Sequence, residues 1–373
     1  MDNKTRYYTI KLTAAGPIFI GSGEKLMKKE YIFEENNKKV IIPDFHKMYL
    51  QIKKDRYERD FNKYVISGNK EYLAEWLRNY KYKKSDYDKW TKYELDCGDA
   101  LIEKGVKPEI LTFVKDPYHK PYIPGSSIKG LLRTILLNSD ILQNNSFYHQ
   151  FQRRISESLV RSSKRNYLLK NENSDIESTR YNCLDKSEKK SDAVNDMMSC
   201  FVVSDSRPLD ETDLVLCQKI DMKQDGTRKP LPILRECLKP GTEIEFDLCI
   251  TRDIGIDDKT IMQAVNQVAD LYYNTFISKF KNAVKQKENT VWLGGGVGFH
   301  NKTVINSVFS DNYEKGLKCT DQIMQQTLSK NYKIHKHFND IRNGVSPHIL
   351  KVTKCNKKLY QMGMARIMIE EKF

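Results

Sequence analysis

Over 373 residues the chain carries 63 lysines and arginines against 49 acidic residues, a formal charge of +14. That excess points to an anionic partner, nucleic acid first, although lysine, asparagine and tyrosine are abundant together, as AT-rich coding would make them. The eight scattered cysteines, the polar start Met1–Arg6 and the lack of a long apolar run argue against a disulfide scaffold, a zinc finger, a signal peptide and a membrane span.

A soluble, cytoplasmic protein of two or three domains is expected. Tyr8, Ile10 and Leu12 alternate with polar residues, the period of a half-buried strand. An apolar run, Pro17–Ile20, then meets Gly21-Ser22-Gly23, which either turns the chain or brings backbone close to a ligand. Tyr31–Phe33 and Val40–Ile42 predict a hairpin, and Asp44 a helix cap before Phe45. From Lys47 to about Leu111 the pattern is helical and charged, and Tyr72, Leu73, Trp76 and Leu77 read as a core stripe rather than a base-stacking surface.

Tyr122–Asn138 tips from a loop straight into a helix. Pro124-Gly125 makes the turn, Ser126 or Ser127 supplies the N-cap, and Ile128, Leu131, Leu132, Ile135 and Leu136 form the core face. Free N–H groups, two hydroxyls and Lys129 converge where the helix dipole is positive, so a phosphate fits there; an ordinary capped helix with a surface lysine fits as well. It is not a Walker A loop, because the lysine precedes the glycine.

From Leu131 up to Pro208 there is no glycine or proline, which reads as a helical insertion with a loose linker around Asn171–Asp192. Strand pattern resumes at Phe201–Ser206. Leu214–Ile220 and Ile233–Glu236 predict a hairpin about Asp225-Gly226 with a basic, exposed tip that buries little, and Glu243–Ile250 follows as a strand. A long amphipathic helix is predicted over Asp257–Lys287. Beyond it Val291–Thr303 holds Gly294, Gly295, Gly296 and Gly298 beside His300 and Lys302, a loop whose backbone approaches something closely or is a strained tight turn. His335 and His337 are the nearest thing to a metal pair; with no evident carboxylate or cysteine partner they read as surface residues, and no metal or cofactor is expected. Lys351–Thr353 and Met364–Ile369 read as closing strands.

Pro17–Gly23, Ile123–Arg133 and Leu293–Gly298, taken in that order, resemble the RAMP superfamily of CRISPR effector proteins, and Ile220–Phe246 is similar to that family's thumb hairpin and the strand after it. Within the superfamily the likeness is nearest the family of fifth subunits of type III-A (Csm) interference complexes. The resemblance implies an α+β fold of two ferredoxin-like (RRM-type) cores with helical insertions, about 45–115 and 138–200, and a protruding β-hairpin thumb, about 214–236. The corresponding domains are 1–255 and 256–373. It also implies a non-catalytic RNA-binding subunit that caps the backbone at the 3′ end of the guide (CRISPR) RNA, supports guide maturation and target RNA binding, and partners other Csm subunits and trimming nucleases.

Carried over position by position, Gly125, Ser126, Ser127, Lys129 and Arg133 grip phosphate, and Gly21, Ser22, Gly23, Gly294, Gly295, Gly296 and Gly298, with His300 and Lys302, lie along the RNA. Met222, Lys223, Arg228 and Lys229 form the thumb tip. These are devices for holding a backbone, and guide–target pairing then reads sequence. The slicing subunit of the family carries an aspartate in the stretch matching Glu24–Glu30, which here has none, so no slicing is expected. The alternative is a metal-independent endoribonuclease that processes precursor guide RNA, for which His300 is the one acid–base candidate.

Overall fold

The computed structural model of the protein describes residues 5–34, 38–68, 71–100, 108–161 and 165–372. In chain order, β1 (Arg6–Ala14) is followed by β2 (Gly21–Leu26) and the hairpin of β3 (Ile32–Glu34) and β4 (Lys39–Pro43). Helices α1 (Phe45–Lys54), α2 (Glu58–Ile66), α3 (Leu73–Asn79) and α4 (Lys84–Trp90) precede β5 (Thr91–Asp96) and β6 (Glu109–Phe113). Helices α5 (Gly125–Gln143), α6 (Asn145–Val160) and α7 (Lys170–Tyr181) lead to the short β7 (Phe201–Val203). The hairpin of β8 (Leu214–Met222) and β9 (Arg228–Leu238) runs into β10 (Glu243–Ile250) and α8 (Asp258–Thr275). After β11 (Thr290–Trp292) come α9 (Ile305–Val308), α10 (Tyr313–Leu328), α11 (Lys330–Ile334) and α12 (Asp340–Asn343). The last strands are β12 (Leu350–Cys355), β13 (Lys358–Gln361) and β14 (Met364–Glu371).

Two curled sheets organise these elements. In the first, the order is β11-β14-β1-β10-β7 and every pairing is antiparallel. Leaving aside the edge strand β11, the succession β1-α5-β7-β10-α8-β14 with β1 and β10 at the centre is the βαββαβ of a ferredoxin-like core. Helices α5 and α8 pack together on this sheet. Ile128, Leu132 and Ile135 from one and Ile261 and Val265 from the other meet Ile10, Leu12, Ile244 and Phe246, all buried. The pairing crosses residue 255, because β14 hydrogen-bonds to β1; a division there does not follow the sheets.

The second sheet runs β2-β6-β9-β8-β5-β4-β3, with β12 on the distal part of β8 and β13 on β12. Helices α1 to α4 form an aromatic core against β3 and β4. Trp76, 3% exposed, stacks on Tyr64 at 5.6 Å and on Tyr80 at 4.3 Å, so the aromatic stripe faces inward as predicted. The helical pattern ends at Trp90 rather than Leu111: Tyr93 and Leu95 are buried on alternate positions of β5, and β6 resumes at Glu109. The chain passes between the two sheets at residues 15–20, 114–124, 204–213, 239–242, 293–349 and 362–363. The glycine turns and the α5 entrance therefore gather along one seam.

Three other expectations are corrected. Residues 170–181 are helical, not a loose linker, because Ile176 and Tyr181 are buried and Tyr181 Oη donates to the Arg133 carbonyl. Helix α8 stops at Thr275, where Phe276 leaves helical geometry and Phe276, Ile277 and Phe280 reach a separate core with Trp292 and Leu350. The hairpin turn keeps its predicted Asp225-Gly226 chemistry, and Lys223, Arg228 and Lys229 are exposed. Its inner edge, however, is anchored: Gln224 Nε2 donates to the carbonyls of Lys279 (3.3 Å) and Asn343 (3.0 Å), and Lys281 N–H donates to the Gln224 carbonyl (2.8 Å). Among the described residues, no helix is long and apolar enough to cross a membrane.

Candidate nucleic-acid interface

The two glycine turns meet. Gly295 N–H donates to the Phe19 carbonyl at 2.7 Å, and Gly294 bridges to Phe19. Gly294 has φ +90°, and a Cβ there would lie 2.2 Å from the Phe19 oxygen, so this contact requires glycine. Gly21, Ser22 and Gly23 continue from that junction as an exposed edge, with Ser22 Oγ held 2.6 Å from Thr112 Oγ1. Helix α5 lies alongside, its Leu131 and Thr134 lining a small cavity with His300 and Asn301.

Above the junction sits Arg235, which sequence reasoning passed over. It lies on β9 with its guanidinium 5.3 Å from the centre of the Phe19 ring. A Cβ on Gly296, whose φ is +92°, would come within 2.5 Å of Nη1. Both Nε and Nη1 are out of contact with solvent and have no hydrogen-bond partner. Burial holds its pKa below the usual arginine value. Lys219, half-buried on β8, has its pKa lowered first by burial and then by Lys351, and Arg235 also acts on it. A positively charged patch whose cations, here Arg235 and Lys219, lack carboxylate ion pairs among the described residues is the physical requirement for an anion site.

The α5 entrance differs from its prediction. The cap position is Pro124, which makes no side-chain hydrogen bond, and Ser126 and Ser127 fall in the first turn. The Gly125 N–H, itself buried, already donates to Asp205 Oδ1 at 2.8 Å, so that carboxylate takes one of the free donors. Ser126 remains exposed, and Ser127 and Lys129 are half-buried. Arg133 is corrected as a phosphate ligand: it pairs with Glu177 (3.0 Å) and Asp196 (2.7 Å) and covers the Tyr181 ring at 4.1 Å. Met222 is corrected likewise, being buried in a core cluster beside β12, where it pairs with Leu350. The hairpin tip is a separate locus. Arg228 and Arg235 are seven positions apart on β9, roughly 20 Å of strand.

The RAMP superfamily model matches residues 11–302. The chain belongs to the RAMP superfamily. Relatives named CRISPR system Cms protein Csm5 include the following two. One, from Streptococcus thermophilus, is 28% identical over 384 residues, covering 100% of this chain and 99% of that protein. The other, from Mycobacterium tuberculosis (strain CDC 1551 / Oshkosh), is 29% identical over 409 residues and 99% of both. Among solved structures, a chain in the cryo-EM structure of the Csm-crRNA-target RNA ternary complex in type III-A CRISPR-Cas system aligns with a TM-score of 0.64 at 16% identity, covering 98% of this chain and 100% of that one. The crystal structure of T.onnurineus Csm5 aligns with a TM-score of 0.61 at 16% identity, covering 95% and 99%. At that identity the structural likeness concerns the fold, and the α+β architecture with ferredoxin-like cores is common to them.

Within this RAMP fold, the candidate catalyst is corrected. His300 Nε2 lies 2.9 Å from the Ser346 carbonyl, and Asn306 Nδ2 lies 3.1 Å from Nδ1. The ring packs on Phe276 at 4.5 Å between centroids. Both nitrogens are thus engaged by a neutral imidazole that donates through Nε2, and burial lowers its pKa to about 4. A base with no free nitrogen has nothing to offer a substrate hydroxyl. Because the unfolded chain takes up this proton at the ordinary histidine pKa, the stability His300 contributes is complete above about pH 6.5 and is lost as pH falls toward 4. Between pH 7 and 5 that loss is expected to be about 2 kcal/mol. Denaturant unfolding should show His300→Gln losing less stability over this interval than wild type; parallel profiles would contradict a neutral, half-buried His300.

Asp44 is a helix cap as predicted, accepting from the N–H groups of His46 and Lys47. His337 is not a surface residue: it is 5% exposed and has a carboxylate partner in Asp340, three residues on. Reading one turn further along the chain would have found that pair.

Proposed function

We propose that this chain is a non-catalytic, cytoplasmic RNA-binding subunit of a type III-A CRISPR interference complex. In this reading it caps the backbone at the guide's 3′ end, packs against other Csm subunits, supports guide maturation with trimming nucleases, and holds guide and target RNA by phosphates rather than bases. Full-length similarity to proteins named Csm5 supports the assignment to such a complex. The observation that carries RNA binding is Arg235, a cation with unused donors wedged between two glycine turns. A half-buried guanidinium with little internal pairing costs stability, and a phosphate oxygen at its open edge is its natural partner. The enclosed, neutral His300 counts against the endoribonuclease alternative.

Binding of fluorescent single-stranded RNAs with unrelated sequences, measured over a range of salt, tests this. Affinity is expected to vary little with sequence and to fall steeply with salt. Ser127→Ala with Lys129→Ala should weaken every RNA alike and flatten the log–log salt slope by about 0.7 for the lost phosphate contact. Absence of affinity at low salt, or strong preference for one sequence, would sink the proposal.

A further inference from the structure

The stretch between α10 and β12 carries a cluster that RNA binding does not use. A helical turn at His337–Asn339 and α12 bring His337 and Asp340 together, and the chain returns with His348 shortly before β12. His337 Nδ1 lies 2.9 Å from one Asp340 oxygen, and His348 Nδ1 lies 2.5 Å from the other. The three residues are 5, 0 and 8% exposed, and their ligand atoms all fall within 4.8 Å of one another.

A second carboxylate faces the same place. Asp321 on α10, 8% exposed, acts electrostatically on Asp340 and sits 2.9 and 3.1 Å from Tyr332 Oη, whose ring stacks on His337 at 5.9 Å. Among the described residues, no lysine or arginine forms an ion pair with either carboxylate. Ser346, 2% exposed, adds a hydroxyl that donates toward Asp340. Two buried carboxylates crowding one place are costly without a compensating cation.

We propose that His337, Asp340 and His348 bind a divalent first-row transition ion, zinc foremost, which fastens this segment beneath the β8–β9 hairpin. Two imidazole nitrogens and a carboxylate oxygen are a donor set that zinc accepts, whereas an all-oxygen site would favour magnesium or calcium. The ion's charge offsets Asp340 and Asp321 together. Its mechanical consequence follows from Asn343, at the end of α12, whose carbonyl receives Gln224 of the hairpin turn at 3.0 Å. Fixing Asp340 therefore fixes the ledge on which the turn rests.

The untagged full-length chain, stripped with EDTA and gel-filtered after loading with zinc, provides the test. Elemental analysis is expected to find one zinc per chain, and thermal unfolding to occur several degrees higher with zinc than after chelation. Cobalt(II) in its place should give a visible ligand-field band without sulfur charge transfer, and His337→Gln and His348→Gln should each lose both metal and band. Wild-type chain that retains neither ion, with the same melting temperature in zinc and EDTA, would overturn the site and leave a closed hydrogen-bond network. So would zinc retained equally by both variants, or a cobalt spectrum dominated by sulfur, since the ion would then sit elsewhere. The wild-type measurements decide the matter even where a variant fails to fold.

Discussion

Glu236→Ala is expected to lower folding stability by about 3–5 kcal/mol. The carboxylate is 0% exposed and accepts from three donors: Lys115 Nζ at 2.6 Å, Tyr93 Oη at 2.7 Å and Phe113 N–H at 2.9 Å. Through them β9 is tied to β5, to β6 and to the loop that leads to α5. Lys115, with 10% of its side chain exposed, also lies over the Tyr93 ring at 4.2 Å and has little access to water. Removing Glu236 strands this ammonium and leaves a phenol and a backbone N–H without acceptors, each a recognised cost. Glu236→Gln should be milder, because the amide oxygen still serves one donor. Replacing both partners, Glu236→Leu with Lys115→Met, should recover most of the loss, since an apolar pair avoids the desolvation that the ion pair incurs. Urea unfolding at neutral pH measures all three. A loss below about 1 kcal/mol for Glu236→Ala would mean that Lys115 reaches solvent after all. The effect extends to RNA binding, because Phe113 pairs with Gly21 across β2 and β6 and so sets the edge of the first glycine turn.

Local features of this chain were legible in its sequence because their causes are local. The alternation in β1, the Asp44 cap and the Asp225-Gly226 turn each rest on residues within a few positions of one another, and each appears in the structure. Non-local features were not. That β14 pairs with β1 depends on residues some 360 positions apart, to which no periodicity points. The polar run 170–181 looked loose because its few anchors, Ile176 and Tyr181, find their partners on α5 and not within the run. Arg133 looked like a phosphate ligand until α7 and Asp196 brought two carboxylates to it. Arg235 misled in the opposite sense. A single charge in a strand reads as a solvent-facing position, and only its place between Phe19 and Gly296 marks it as unsatisfied. His337 and His348 are likewise eleven positions apart, and only the α12 turn makes them neighbours of one carboxylate.

Arg235→Met is expected to weaken binding of single-stranded RNA by about ten- to a hundredfold while leaving the free protein as stable as before, or slightly more so. Two opposing terms are involved. In the free protein the guanidinium keeps Nε and Nη1 from water without a hydrogen-bond partner, compensated by the Phe19 face and the more distant charge of Asp221, so an unbranched apolar side chain of similar reach removes an unfavourable term. In the complex the open edge of the half-buried guanidinium meets a phosphate, and charge-assisted hydrogen bonds of this kind contribute about 1.5–3 kcal/mol, which is the stated fold-change. Arg235→Lys should restore little, because a single ammonium cannot present two donors in the plane between the ring and the glycine backbone. Gly296→Ala should resemble Arg235→Met in binding, since its Cβ would displace Nη1, but it should also lose stability from the strained φ of +92°. Stability and binding thus diverge at one position and fall together at its neighbour. If Arg235→Met destabilises the fold and leaves RNA affinity intact, Arg235 is a packing residue and the phosphate contacts lie on other parts of the seam.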